Sequence, residues 1–183
     1  MMWKRMTMVA AGLASVAAFT GCLPQPVGHP FGVTRGTVVC DGGSATATVE
    51  PGVTTAVKPA TFTLRAPSTT SRCVDGTGSG IESAQIVALS LTFPALSCSG
   101  GSGSTPVATG TATIRWSDGT TSDAAATATL GGVLSGTLHL AVTSGHIAGS
   151  SGSADFLVTP AGGDCSNGIT AEDITLNQIT LAA

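Results

Sequence analysis

The chain has 183 residues, 7 of them Lys or Arg and 10 Asp or Glu, for a formal net charge of −3. A phosphate backbone demands a clustered basic face, whereas Arg35, Lys58, Arg65, Arg72 and Arg115 are scattered singly, so nucleic acid is not an expected partner. With 42% apolar residues and little charge, the composition departs from the low-hydrophobicity, high-charge signature of disorder, and the chain is expected to fold.

Residues 1–21 read as a signal peptide. Lys4 and Arg5 form a short basic segment ahead of an apolar run from Val9 to Phe19, which falls short of the ~20 residues that cross a bilayer core. Two readings of its end compete. Small residues at Ser15 and Ala17 suit cleavage after Ala17, which leaves Cys22 as a thiol in a secreted chain. Alternatively, Phe19-Thr20-Gly21-Cys22 resembles the lipobox of bacterial lipoproteins, which implies diacylglycerol on the Cys22 sulfur and cleavage just before it. The 5 cysteines are Cys22, Cys40, Cys73, Cys98 and Cys165, and an odd count in an exported chain leaves one over. Using Cys22 as the anchor leaves four for two disulfides. The expectation is therefore an extracytoplasmic protein tied to the cell membrane through Cys22, or a secreted one if Cys22 is not acylated.

Residues 22–35 hold the anchor cysteine and a tether marked by Pro24, Pro26, Gly28, Pro30 and Gly32. His29 lies in it, with no second ligand at metal-binding spacing.

Residues 36–183 read as one all-β domain, an antiparallel β-sandwich or flattened barrel of about eight or nine short strands. "GTVVC" and "SATATVE" open it. In "ATFTLRA", Ala60, Phe62, Leu64 and Ala66 share a face; in "SAQIVALSLTF", Val87, Leu89, Leu91 and Phe93 do. Ala112, Ile114 and Trp116 share the next face, followed by Ser122, Ala124, Ala126, Ala128 and Leu130. A two-residue Asp118-Gly119 loop would pair Ile114 with Asp123 and bury a carboxylate. The three-residue loop Ser117-Asp118-Gly119 is expected instead, pairing Trp116 with Thr120 and Ala112 with Ala124. Leu134, Leu138, Leu140 and Val142 then share a face with His139 opposite, and "SADFLVT" supplies Ala154, Phe156 and Val158. In "ITLNQITL" the odd step from Leu176 to Ile179 implies a bulge at Asn177-Gln178. "GT" at Gly36, Gly110 and Gly136 reads as strand punctuation.

The order of "GTVVC", "SRC", "LSC", the hairpin "GTATIRWSDGTTS" and the late "GDC", over Gly36 to Leu181, resembles a group of small exported Thr- and Gly-rich proteins of actinobacteria. The resemblance implies a secreted β domain and supplies no catalytic residues. Disulfide connectivity is open among three schemes. Cys40 with Cys98 and Cys73 with Cys165 is the expected one, since the first two end strands and the second two lie in Gly-rich loops.

Chemistry is weakly signalled. A catalytic serine needs a positioned base, and the best grouping is His139, His146 and Asp155, with His139 on an exposed face. No Gly-x-Ser-x-Gly elbow, Cys-x-x-Cys or His-Glu-x-x-His occurs, so no catalytic residue, metal or cofactor is expected. "DGTGSG" at 75–80 reads as a flexible turn, and Glu172 and Asp173 point to opposite faces of a strand. Trp116 is expected in the core and not as a sugar platform. The expected role is structural or partner-binding in the cell envelope through strand addition. The alternative is a carrier of an apolar ligand such as a lipid between the sheets; an enzyme is not expected.

Overall fold

A computed structural model of the chain describes residues 36–99, 105–132 and 134–182, and every regular element in them is a β-strand. The expected signal peptide 1–21, Cys22, His29 and the tether lie outside the described residues. The strands are β1 (Thr37–Cys40), β2 (Gly43–Val53), β3 (Lys58–Leu64), β4 (Ser71–Asp75), β5 (Ser83–Leu96), β6 (Val107–Trp116), β7 (Thr121–Leu130), β8 (Ser135–Gly145), β9 (Ser151–Gly162), β10 (Ile169–Leu176) and β11 (Ile179–Ala182).

All pair antiparallel. Following the neighbours β10-β2-β3-β5, then β5–β6, then back through β7, β8 and β9 to β10, closes a ring of eight strands. The fold is thus the barrel form of the expected all-β domain. The other three strands extend members of that ring. β1 and β11 pair with each other as β2 and β10 do, and β4 joins β1 to β5 as β3 joins β2 to β5. The barrel therefore has eight staves, three of them broken in two: β1/β2, β3/β4 and β10/β11.

The break in β10/β11 falls at Asn177-Gln178, and the bulge expected there is present against β9: Leu176 pairs with Phe156 and Thr180 with Ser153, so four steps on β10/β11 span three on β9. Against β1/β2 the register does not slip. Cys40 faces Ile179 and Gly43 faces Leu176, so Asp41-Gly42 and Asn177-Gln178 interrupt the two staves equally. Both staves then change together which side chains face inward. The staves nearly touch here: a Cβ on Gly42 would lie 2.0 Å from the Leu176 carbonyl oxygen.

The β6–β7 hairpin has the expected three-residue loop. Ala112 pairs with Ala124, the Trp116 N–H donates to the Thr120 carbonyl at 2.9 Å, and Gly119 takes a φ of 83°. The inward faces expected for β6, β7 and β9 are buried except for Leu130 at the end of β7, which is half-buried, and so are Leu138, Leu140 and Val142 of β8 and Leu89, Leu91 and Phe93 of β5. Val87 is an exception. A shift between Ile86 and Ala88 against β6 turns Ile86 inward and leaves Val87 half-buried. Leu134, expected on the inner face of β8, precedes that strand and is 51% exposed.

The disulfides differ from the expected scheme: Cys40 bonds Cys73, and Cys98 bonds Cys165. The cause is β4, a five-residue strand that its Thr, Ser and Gly flanks disguise as loop. Pairing β4 with β1 sets Cys73 directly opposite Cys40, with Cα atoms 3.9 Å apart. Closing loops of sequence separation 33 and 67, each bridge contributes about 4 kcal/mol in the chain-entropy account.

One end of the barrel gathers β1, β4, β11, the β6–β7 hairpin and the β8–β9 turn. Trp116, 3% exposed, is core there as expected, among Ile86, Ile114, Leu140 and Leu181. Its indole Nε1–H donates to Ser122 Oγ at 2.8 Å, and that hydroxyl donates to the His146 carbonyl at 2.5 Å. The opposite end gathers the connections β2–β3, β5–β6, β7–β8 and β9–β10.

Gly110 lies inside β6 and not at a strand start, and a Cβ there would stand 1.8 Å from the Ser90 carbonyl oxygen on β5. Gly110→Ala is expected to destabilise the domain by about 3 kcal/mol, because staves joined on both sides cannot move apart. The denaturant midpoint against wild type measures it.

Candidate functional site

Eight staves enclose an interior that side chains just fill or that admits one small ligand. Here both occur, at opposite ends. At the end with the β2–β3, β5–β6, β7–β8 and β9–β10 connections, the inward residues leave a cavity of about 240 Å³. The sequence makes this room with small side chains: Ala45 and Ala47 on β2 and Ala128 on β7 occupy inward positions where a Leu would reach the centre. The remaining wall is largely apolar, from Phe62 and Leu64 on β3, Leu89, Leu91 and Phe93 on β5, Leu138 on β8, Phe156 and Val158 on β9, and Ile174 and Leu176 on β10. Phe62 and Phe93 meet edge to face with ring centroids 5.3 Å apart, a favourable aromatic geometry that stiffens the β3–β5 side. Leu134 and Pro160, both exposed, stand at the mouth. The Cys98–Cys165 bridge forms part of the wall and joins the β5–β6 connection to the β9–β10 connection.

Among the described residues one ionisable side chain faces this space. Glu172 shares its side of β10 with Ile174 and Leu176, is 9% exposed, and lines the cavity. Among the described residues its carboxyl meets no hydrogen-bond or ion-pair partner. Burial pushes that carboxyl up to about 7, since an apolar surrounding disfavours the charged form. Asp173 points outward as expected, and its carboxylate accepts from Thr46 Oγ1 at 2.7 Å. The two polar side chains that share the wall with Glu172 are engaged. Ser68 Oγ donates to the Thr69 carbonyl at 3.0 Å and accepts from the Ile86 N–H at 3.0 Å, while Ser97 Oγ lies 3.1 Å from Ser99 Oγ.

The residues weighed for catalysis are not brought together. His139 is exposed on the outer face of β8 opposite Ser153, and Asp155, also outward, accepts from Thr137 Oγ1 at 2.9 Å. His146 lies beyond the end of β8, its ring 6.2 Å from that of Trp116. No group of three or more His, Cys, Asp or Glu able to hold a metal ion occurs among the described residues. The 75–80 turn is organised and not loose. The Asp75 carboxylate accepts from Thr77 N–H at 2.7 Å, Thr77 Oγ1 at 2.5 Å, Ser79 Oγ at 3.1 Å, Gly80 N–H at 2.7 Å and Ile81 N–H at 3.2 Å. Its partial burial favours the neutral acid, but these hydrogen bonds outweigh that and hold the carboxyl well below the usual range. They close the turn between β4 and β5.

Glu172 was seen in the sequence only as one of an opposed pair. The usable signal was its alternation with Ile174 and Leu176, which places it on the apolar face. No protein-family model, curated protein or solved structure matches the chain.

A carboxyl whose folded value is raised is best accommodated when protonated. Its stability contribution is therefore greatest below the unfolded value of ~4.3 and is lost as pH rises toward about 7. Glu172→Gln is expected to match wild type near pH 4 and to exceed it in thermal midpoint at pH 8. A pair of melting curves at each pH checks this.

Proposed function

We propose that this is an exported binding protein that holds one small apolar molecule inside the barrel and carries it in the cell envelope, tethered through a lipidated Cys22. The observation that carries the reading is the apolar cavity of about 240 Å³ at one end of a barrel whose other end leaves a void of only about 20 Å³. That volume exceeds the ~150 Å³ in which an apolar protein cavity takes up benzene and approaches the ~300 Å³ of small drug-like pockets. The two disulfides support an oxidising, extracytoplasmic location. Strand addition to a partner draws less support, because the ring leaves none of its eight members with a free edge.

Native mass spectrometry of the exported protein, with titration of a fluorescent apolar dye, tests the binding reading. One bound molecule per chain is expected, and Ala128→Phe, which fills the cavity, should weaken dye binding at least tenfold. A stoichiometry of zero, or undiminished binding by Ala128→Phe, overturns it. Membrane fractionation tests the anchor: wild type should sediment with membranes and Cys22→Ala should be soluble, with a matching loss of lipid mass.

A further inference from the structure

This inference rests on the binding reading above and names the ligand's polar end. Glu172 is nine-tenths buried and faces the cavity. Its cross-strand neighbours are Ala47 on β2 and Pro160 on β9, neither of which can donate to it from a side chain. Among the described residues no Lys, Arg or His lines the cavity, and the Cys98 and Cys165 sulfurs are bonded to each other. Ser68 and Ser97 are committed elsewhere.

The Glu172 oxygens are open to the cavity space and not packed against protein, and a carboxyl without a donor in reach on a largely apolar wall calls for a reason. A strand facing a purely apolar ligand would do better with Leu or Val at this position, as at Ile174 and Leu176. The missing partner is therefore of a definite kind. Above about pH 7 the carboxylate is ionised and only accepts hydrogen bonds, so what the site lacks there is a donor, and a charged donor forms the stronger bond.

We infer that Glu172 anchors the polar end of the ligand, and that the ligand is a primary amine on a compact apolar body, its ammonium against the Glu172 carboxylate and its hydrocarbon against the Ala47, Phe93 and Phe156 wall. Carboxylic acids of the same shape are disfavoured, since a second carboxylate would meet Glu172 in a site without a cation. Neutral alcohols fill the hydrocarbon space but leave the charge uncompensated.

The test uses the full-length Cys22→Ala chain, exported through its own leader so that both disulfides form and no detergent competes for the cavity. Octylamine, octan-1-ol and octanoate are titrated calorimetrically at pH 8, where the amine is protonated and Glu172 ionised. Octylamine is expected to bind at least tenfold tighter than octan-1-ol, with octanoate weakest. Glu172→Gln should erase the advantage of the amine while keeping octan-1-ol affinity within about twofold. Independently of any variant, the preference of wild type for the amine should disappear by pH 5. If amine and alcohol bind equally at pH 8, or the preference persists at pH 5 or in Glu172→Gln, the anchor is overturned while the binding reading stands. If none of the three binds, both fall together.

Discussion

Closure of the backbone hydrogen-bond ring is the constraint on which the rest of the molecule depends. Each inner stave of an antiparallel sheet satisfies its N–H and C=O groups on two neighbours, and a sheet that stops leaves an edge. Here the β5–β6 and β9–β10 pairings remove that edge, and the short β1, β4 and β11 carry the ring to the second end by continuing three of its members. The ring also imposes costs. Where staves press together, as Gly42 against Leu176 and Gly110 against Ser90, no side chain fits on the near side.

A ring of fixed stave number has a fixed cross-section, so the size of the inward side chains decides what is solid and what is hollow. At the end near the β6–β7 hairpin, Trp116, Ile86, Ile114 and Leu140 belong to the buried core and leave only about 20 Å³ between them. At the other end Ala45, Ala47 and Ala128 withdraw from the axis, and the same backbone encloses space. An interior that gives up packing in this way loses dispersion and burial energy. The two disulfides offset part of the loss, one stapling the short strands β1 and β4, the other tying two connections at the cavity itself.

The polarity of that space comes down to one atom group. Every inward position of β10 except Glu172 is apolar, and the carboxyl finds no compensating charge from the staves beside it. Its titration near neutrality follows directly from that isolation. Asp75 shows the contrary case, a carboxylate surrounded by hydroxyl and backbone donors and held ionised to low pH. The two differ in side-chain length by one methylene; their surroundings set them apart.

Alternation of apolar and polar residues was sufficient to establish an all-β chain and, for β6, β7 and β9, which side chains are buried, because the period-2 pleat is a local property. The three-residue hairpin at Ser117-Asp118-Gly119 was legible for the same reason: its register follows from keeping Asp123 out of the core. Local pattern failed where a partner strand intervened. The shift at Val87 is set against β6, and β4 is a strand only because β1 and β5 lie on either side of it. With β4 unseen, Cys73 could not be placed beside Cys40. The cavity and the exposure of Glu172 to it belong to the same class. The sequence by itself determined most of the inner face of β6, β7 and β9, since that depends on neighbours two positions apart. Only the tertiary structure decided that those faces close on one another, and with closure which cysteines meet and where the interior stays empty, because these are distances between residues far apart in the chain.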